Sequence, residues 1–477
     1  MKLLLEYRHN LKSQTMRHIA NSYFVAHLFF AVIAGLILPD KDANACTSVI
    51  AGKQATDPEV ILLARNEDLE IKQSKYMMFR HHPAYHGDEK DNPTIKDGMW
   101  TLGNGLKVPV PKNEFSYSAM PDARGYEEAT YGVRELFYFE ERGINERNVA
   151  ISATNSMDMN EKAKTADKVV AVGIAEEIIP TLLLPQAETA LHAVELLGGY
   201  VEKYGASEAN GMLIGDPTEA WYFEIGSGHH WIAVKTPADS YLVVANDMRV
   251  HGVNLDSPDV KHSEGLFAFV EQHGLLENPV RCSFNFAKAF GVLGEPYNVD
   301  RIWLAQKLLT PSKMQEPRQL QYPLFLTPDE KMSVQDVMQV LRADYKGTEL
   351  EDDPDATRPI GYVKTMESHI ITLNDEMPNE LQGVIWQALG TPLGSPYMPL
   401  YSVMDDIPLG YAVGGNQYSP FSAYWAFRSL YVLDASIYDE LWKEYEDRRL
   451  DEHKYLNNML KEIDQSTPST AIDFAKK

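Results

Sequence analysis

Ala43-Asn44-Ala45 stands immediately before Cys46, an order that joins a small-residue cleavage signature to a nucleophile. Cut at that point, the chain begins with Cys46 and carries both a thiol and a free α-amine. The amine's reference pKa of about 7.7–8.0 lets it accept a proton near neutrality, so no histidine partner is needed. Arg65-Asn66-Glu67-Asp68 supplies complementary charges. The Arg65 guanidinium beside sulfur would favour thiolate over thiol, and the Asp68 carboxylate would hold and orient the ammonium. Taken singly, a cysteine reads as a buried inert thiol and an R-x-x-D as a surface ion pair. Coincidence with the cleavage point favours the chemical reading.

These groups meet only if the chain between them turns back on itself. Cys46 to Gly52 reads as a strand, Asp57-Pro58-Glu59 as a turn and Val60 to Ala64 as a second buried strand, a hairpin that returns Arg65 towards Cys46. Asn155 and Asn246 end the apolar strands Val149–Ala153 and Leu242–Ala245. They are neutral donors of the kind acyl transfer needs at an oxygen that turns negative, although turn formation is the usual fate of Asn at a strand end. Asn148–Ser156, Met212–Gly215, Ala220–Ile225, Trp231–Lys235 and Tyr241–Asn246 are β-rich runs bounded by Gly, Pro and Asp. Ala190, Val194, Leu197, Val201 and Tyr204 form a helical stripe, as do Val334, Val337, Met338, Leu341 and Tyr345. Helices covering strands predict a layered α+β domain. Beyond about residue 420, Tyr438, Leu441, Trp442 and Tyr445 share one helical side and read as core packing.

The chain's 477 residues and net charge of -24 set the outer limits. Nucleic acid and anionic lipid headgroups are poor partners for so acidic a protein. Two cysteines, Cys46 and Cys282, cannot build a disulfide framework or a thiolate zinc site. H-E-x-x-H, G-x-S-x-G and G-x-x-x-x-G-K-[ST] are all missing, and no cofactor or metal is expected. The pairs His81-His82 and His229-His230 would point to opposite faces of a strand and read as surface or packing residues. The acidic loop Glu349–Asp355 lacks calcium-loop spacing and reads as solvated. Lys2, Arg8, Lys12 and Arg17 precede the apolar run Tyr23–Leu38, which is shorter than the ~20 residues of a spanning helix. Residues 1–45 are therefore expected to be a removed secretory signal, leaving an exported protein, periplasmic or secreted, without a stable membrane anchor.

Cys46-Thr47-Ser48, Ala64-Arg65-Asn66-Glu67-Asp68 and the tract from Ile214-Gly215-Asp216-Pro217-Thr218-Glu219-Ala220-Trp221 through Trp231 to Ala245-Asn246 resemble the dipeptidase family of cysteine N-terminal-nucleophile hydrolases. Penicillin V acylase and bile salt hydrolase are relatives of that family by fold. The resemblance runs from Cys46 to about Leu373, taking in Leu341-Arg342, Tyr345-Lys346-Gly347-Thr348 and Ser368-His369. It implies an αββα sandwich, hydrolysis of a dipeptide's peptide bond and Cys46 as nucleophile. It also implies an Asn246 side chain donating to the oxyanion, with Asn155 beside the substrate. Asp57-Pro58-Glu59 departs from the Gly-containing turn more usual in the family. The expected organisation is a hydrolase domain over 46–375 and a mainly helical region over 376–477 packed on it. Two other readings stay open. The same machinery would cleave a non-peptide linear amide, or Cys46 would be lipidated or disulfide-bonded to Cys282 in a non-enzymatic envelope protein. The sequence leaves open the preferred dipeptide, any homo-oligomer, and whether Arg281 or Arg301 joins the site.

Overall fold

Period-two alternation decides where each strand residue goes. The computed structural model describes residues 45–69, 74–122, 139–402, 407–415 and 417–462; the expected signal segment with its run Tyr23–Leu38 lies outside them. Strands β1 (Ala45–Ala51) and β2 (Ile61–Asp68) form the expected hairpin, with Ser48 opposite Arg65 and Cys46 opposite Glu67. The link between them contains a cis Asp57–Pro58 peptide. Strands β3 (Met78–Arg80) and β7 (Tyr117–Ala119) pair as a ribbon, and β4 (Ile95–Lys96), β5 (Met99–Thr101) and β6 (Lys107–Pro109) form a small sheet.

Two six-stranded antiparallel sheets make the body of the fold. The first runs in the order β13 (Tyr241–Val244), β1, β2, β15 (Thr365–Leu373), β16 (Gly383–Leu389), β17 (Met398–Tyr401). The second runs β14 (Val260–His262), β12 (Trp231–Lys235), β11 (Ala220–Ile225), β10 (Ala209–Gly215), β9 (Ala150–Met157), β8 (Arg142–Ile144). Ile61 and Leu63 of β2 pack inward against Leu213, Tyr222 and Ile232 of the second sheet. Leu62 and Ala64 point the other way, into a layer with Ile302, Trp303, Val337 and Leu341. On the far face of the second sheet, Met212, Trp221 and Phe223 meet Val194, Leu197 and Val201. Helix, sheet, sheet, helix is the resulting order, an α+β αββα sandwich.

The covering helices start and stop where their end residues dictate. Helix Ala190–Tyr204 begins at Thr189, whose hydroxyl accepts from His192 N, and ends at Gly205 with φ of 75°. Helix Val334–Arg342 opens with a reciprocal capping box between Ser333 and Asp336. Gly198 lets the first of these helices approach β12 closely, since a Cβ there would fall 2.2 Å from Trp231 Cζ2.

Strands β16 and β17 fall within 376–477 and complete the first sheet. Two expectations need correction. Of the stripe Tyr438, Leu441, Trp442 and Tyr445, none is buried; a π-helical turn over Tyr438–Trp442 shifts the register, and Ile437, Glu446 and Leu450 face inward instead. His81 and His82 lie in a bend beyond β3, so strand alternation does not separate them. His229 and His230 do diverge, one to Asp167 and the other to Ser263.

Candidate active site

Alternation along β1 and β2 divides the neighbourhood of Cys46 into two sides. Arg65 and Glu67 follow Leu63 on the face towards the second sheet, whereas Asn66 and Asp68 follow Leu62 and Ala64 on the outer face. Arg65 reaches diagonally across the hairpin, and its Nη2 donates to Cys46 Sγ at 3.0 Å. The same nitrogen lies 2.9 Å from Glu176 Oε1 and 2.8 Å from Glu141 Oε2. Behind them Lys75 Nζ is 2.6 Å from Glu67 and 3.6 Å from Glu141, and it also pairs with Asp122. Glu67, Asp122 and Glu141 are close enough together to hold a metal ion. The cation that the chain places among them is the Lys75 ammonium.

The main chain of Cys46 is held from the other side. Its N–H donates to Asn246 Oδ1 at 3.0 Å, because Asn246 follows β13 and the pairing of Ser48 with Val244 brings position 246 level with 46. Arg301, from the helix Pro296–Leu309, donates through Nη1 to Cys46 O at 2.5 Å and to Thr47 Oγ1 at 3.0 Å. Its Nη2 donates to Asn246 Oδ1 at 2.9 Å and to Asn298 Oδ1 at 3.0 Å. Two donors on Oδ1 fix the amide's orientation, and Nδ2 then donates to Ser156 O at 3.1 Å. Asn246 therefore faces the Cys46 nitrogen with its acceptor. Nδ2 carries two N–H groups, of which the bond to Ser156 O uses one.

Asp68 sits across the ladder from Ala45 and is bonded by Arg358 Nη2 and Thr365 Oγ1. Asn155 lies in β9 opposite Gly211, beside a register shift; its side chain is outside the described residues. Arg281 stays away from the site, paired with Asp256 at the surface, and Cys282 is exposed and free. Arg301 is thus the second arginine at Cys46. Glu141, Glu176, Asn298 and Arg358 join it without having been signalled by any spacing in the sequence.

Burial dominates the electrostatics. It pushes the Cys46 thiol up to about 12 despite the opposing Arg65 charge, with Glu176, Asp68 and Glu141 adding to the rise. Burial, then Glu141, raises Glu176 to about 7. For Glu141 the Lys75 and Arg65 charges outweigh burial and hold the carboxyl below its ordinary value. Burial and the nearby Arg358 charge bring Arg301 down to about 10. With its peptide bond to Ala45 intact, Cys46 is a protonated thiol, 5% exposed, whose nitrogen is an amide and no base.

The neighbourhood can be compared with known proteins. A "Probable dipeptidase" of Latilactobacillus sakei is 33% identical over 410 residues, covering 83% of this chain and 82% of that protein. A "Probable dipeptidase" of Salmonella dublin is 33% identical over 374 residues, covering 76% and 81%. Penicillin V acylase from Agrobacterium tumefaciens is a distant structural match, with TM-score 0.35 and 13% identity over 76% of this chain and 87% of that one. Residues 45–451, from the first residue of β1 into the helix Lys443–Glu462, match peptidase family C69, and the chain belongs to that family of peptidases.

Proposed function

We propose that the protein is an exported dipeptidase that works from Cys46 as its own N-terminus. One observation carries this reading: Cys46 N and Sγ each have a separate polar partner at 3.0 Å, Asn246 Oδ1 for the nitrogen and Arg65 Nη2 for the sulfur. Removal of residues 1–45 turns the amide nitrogen into an amine. A positive charge on that amine lowers the thiol pKa. The thiol proton passes to the α-amine, sulfur attacks the scissile carbonyl, and the ammonium returns that proton to the departing amine as the C–N bond breaks. Water, deprotonated by the same amine, then adds to the thioester; the acid leaves and sulfur recovers its proton. Asp68, across the ladder from the cut, is suited to hold the ammonium.

Support for a dipeptide over an N-acylated amide comes from Glu141 and Glu176. Both touch the Arg65 nitrogen that touches sulfur, two hydrogen-bond lengths from the reacting atom, where carboxylates can receive a substrate's free α-ammonium. A lipid on Cys46 fits poorly, since Sγ is buried against Arg65. The test is a substrate panel on the processed protein, with dipeptides, their N-acetyl derivatives and N-acyl amino acids. Dipeptides should be cleaved with much the highest kcat/KM. Faster turnover of the N-acyl compounds would replace this reading with an amidase.

A further inference from the structure

Outside the Cys46 site, three metal-ligating side chains converge on the surface of the segment that carries the small sheet. His82, His86 and Glu114 have ligand atoms all within 4.8 Å of one another. The two imidazoles stack with centroids 3.9 Å apart and planes 12° from parallel. His86 Nδ1 is 2.6 Å from Glu114 Oε2, in a pair whose side chains are 48% and 40% exposed. An exposed ion pair of this kind adds only about 0–1 kcal/mol to stability, so its energy alone does not account for the convergence of a third ligand.

The backbones beneath these side chains are pinned by buried groups. Tyr85, 1% exposed, packs edge-on to Trp100 at 4.8 Å and donates its hydroxyl to Asn113 O, which ties the histidine turn to the residue before Glu114. Asn92, 6% exposed, donates to Ala84 O at 2.8 Å and His86 O at 2.9 Å. Pro83 O accepts from His86 N at 2.9 Å and closes the turn. The positions of the three ligands are therefore set by the fold, and their exposed tips remain free to rotate.

We propose that His82, His86 and Glu114 form a binding site for a divalent transition metal ion of the zinc type, with water completing the shell. Two imidazoles and one carboxylate match the ligands of borderline ions such as Zn²⁺, whereas Ca²⁺ and Mg²⁺ call for oxygen throughout. The ion takes the place of the proton shared by His86 and Glu114. Zn–N bonds of about 2.0–2.1 Å put neighbouring ligand atoms on a tetrahedral ion roughly 3.3 Å apart. Small rotations of exposed rings close that gap. The net charge of -24 raises the local concentration of cations, and Asp88, Glu89 and Asp91 lie within five residues after His86, with Lys90 between the last two. Bound metal would clamp the histidine turn to the Glu114 segment.

The test uses processed protein purified without a histidine tag, stripped with chelator and with its thiols alkylated so that sulfur does not compete. Zinc is titrated calorimetrically, and cobalt(II) serves as an absorbing substitute. The expected result is one equivalent bound with micromolar affinity and a rise in Tm. That equivalent should vanish in the double variant His82→Ala/His86→Ala, weaken at least tenfold in Glu114→Gln, and persist in His229→Ala, which alters a His–Asp pair elsewhere. Peptidase activity, measured on each variant before alkylation, should survive in all three, which also certifies their folding. Undiminished zinc uptake by the double variant, or no uptake by the parent protein at millimolar zinc, would overturn the site.

Discussion

In the proposed reaction Cys46 offers two atoms, and the chain treats them separately. Arg65 addresses sulfur from the inter-sheet side, while Asn246 and Arg301 address the main chain. Cys46→Ser should abolish turnover, because an alcohol lacks the thiolate's nucleophilicity, and Cys282→Ser should leave it intact, since that thiol is exposed whereas Cys46 is buried among the charged groups of the site. Full activity in purified Cys46→Ser, or its loss in folded Cys282→Ser, would move the nucleophile elsewhere. Asn246 is the more informative position. Removing its side chain takes away the acceptor facing the Cys46 nitrogen and the side-chain donor the residue can offer an oxyanion. Loss of one such donor typically costs about 2.7–4 kcal/mol, so Asn246→Ala should lower kcat by roughly 100- to 1,000-fold. Asn246→Asp keeps an acceptor for the amine and for Arg301 but has no N–H. Steady-state kinetics then separate the two tasks: activity near wild type in Asn246→Asp would assign Asn246 to holding the amine alone.

The elements explain which parts of this site the sequence revealed. Cys46, Arg65 and Asp68 were legible because one hairpin brings them together, and hairpin register follows from strand pattern and a turn. Asn246 was legible as the residue ending an apolar strand that proved to neighbour β1. Glu141 and Arg358 arrive from loops, Glu176 from a single 3-10 turn, and Asn298 and Arg301 from one helix, and contacts made only in the folded chain leave no local spacing to read. The stripe at 438–445 misled for a related reason. One π-helical turn changes which residues face inward, and hydrophobic periodicity does not report it. Close packing between elements yields its own prediction. At Gly198 a methyl group would overlap the Trp231 ring, whose Nε1 is tethered to Glu202 at 3.0 Å. Overpacking costs about 1–3 kcal/mol, while replacing glycine inside a helix returns about 1 kcal/mol, so Gly198→Ala should be destabilising by up to about 2 kcal/mol. Urea denaturation measures it, and an unchanged or higher midpoint would mean that helix and sheet can separate without cost.

At the scale of the whole molecule, pH acts on stability and activity through different groups. Glu224 of β11 is 0% exposed and accepts from Arg249 N and Val250 N, yet burial raises it from 4.5 to about 7. A carboxyl raised on folding binds its proton more tightly in the folded state. Its stabilising contribution is complete below pH 4.5 and is lost as pH rises through about 7, on the order of 3 kcal/mol in all. Glu224→Gln cannot ionise, so its stability should fall less between pH 5 and pH 8 than the parent's, as judged by denaturation at both values. An identical fall in both proteins would mean that Glu224 ionises as freely folded as unfolded. In the proposed mechanism the peptidase activity depends on a covalent event instead, the cut before Cys46. Intact-mass analysis of an active preparation, alongside titration of the same sample with a thiol alkylating agent, tests that claim most directly. The account predicts a chain that begins at Cys46, with activity lost in proportion to alkylation of that residue; full activity in a chain still carrying Ala45 would contradict it.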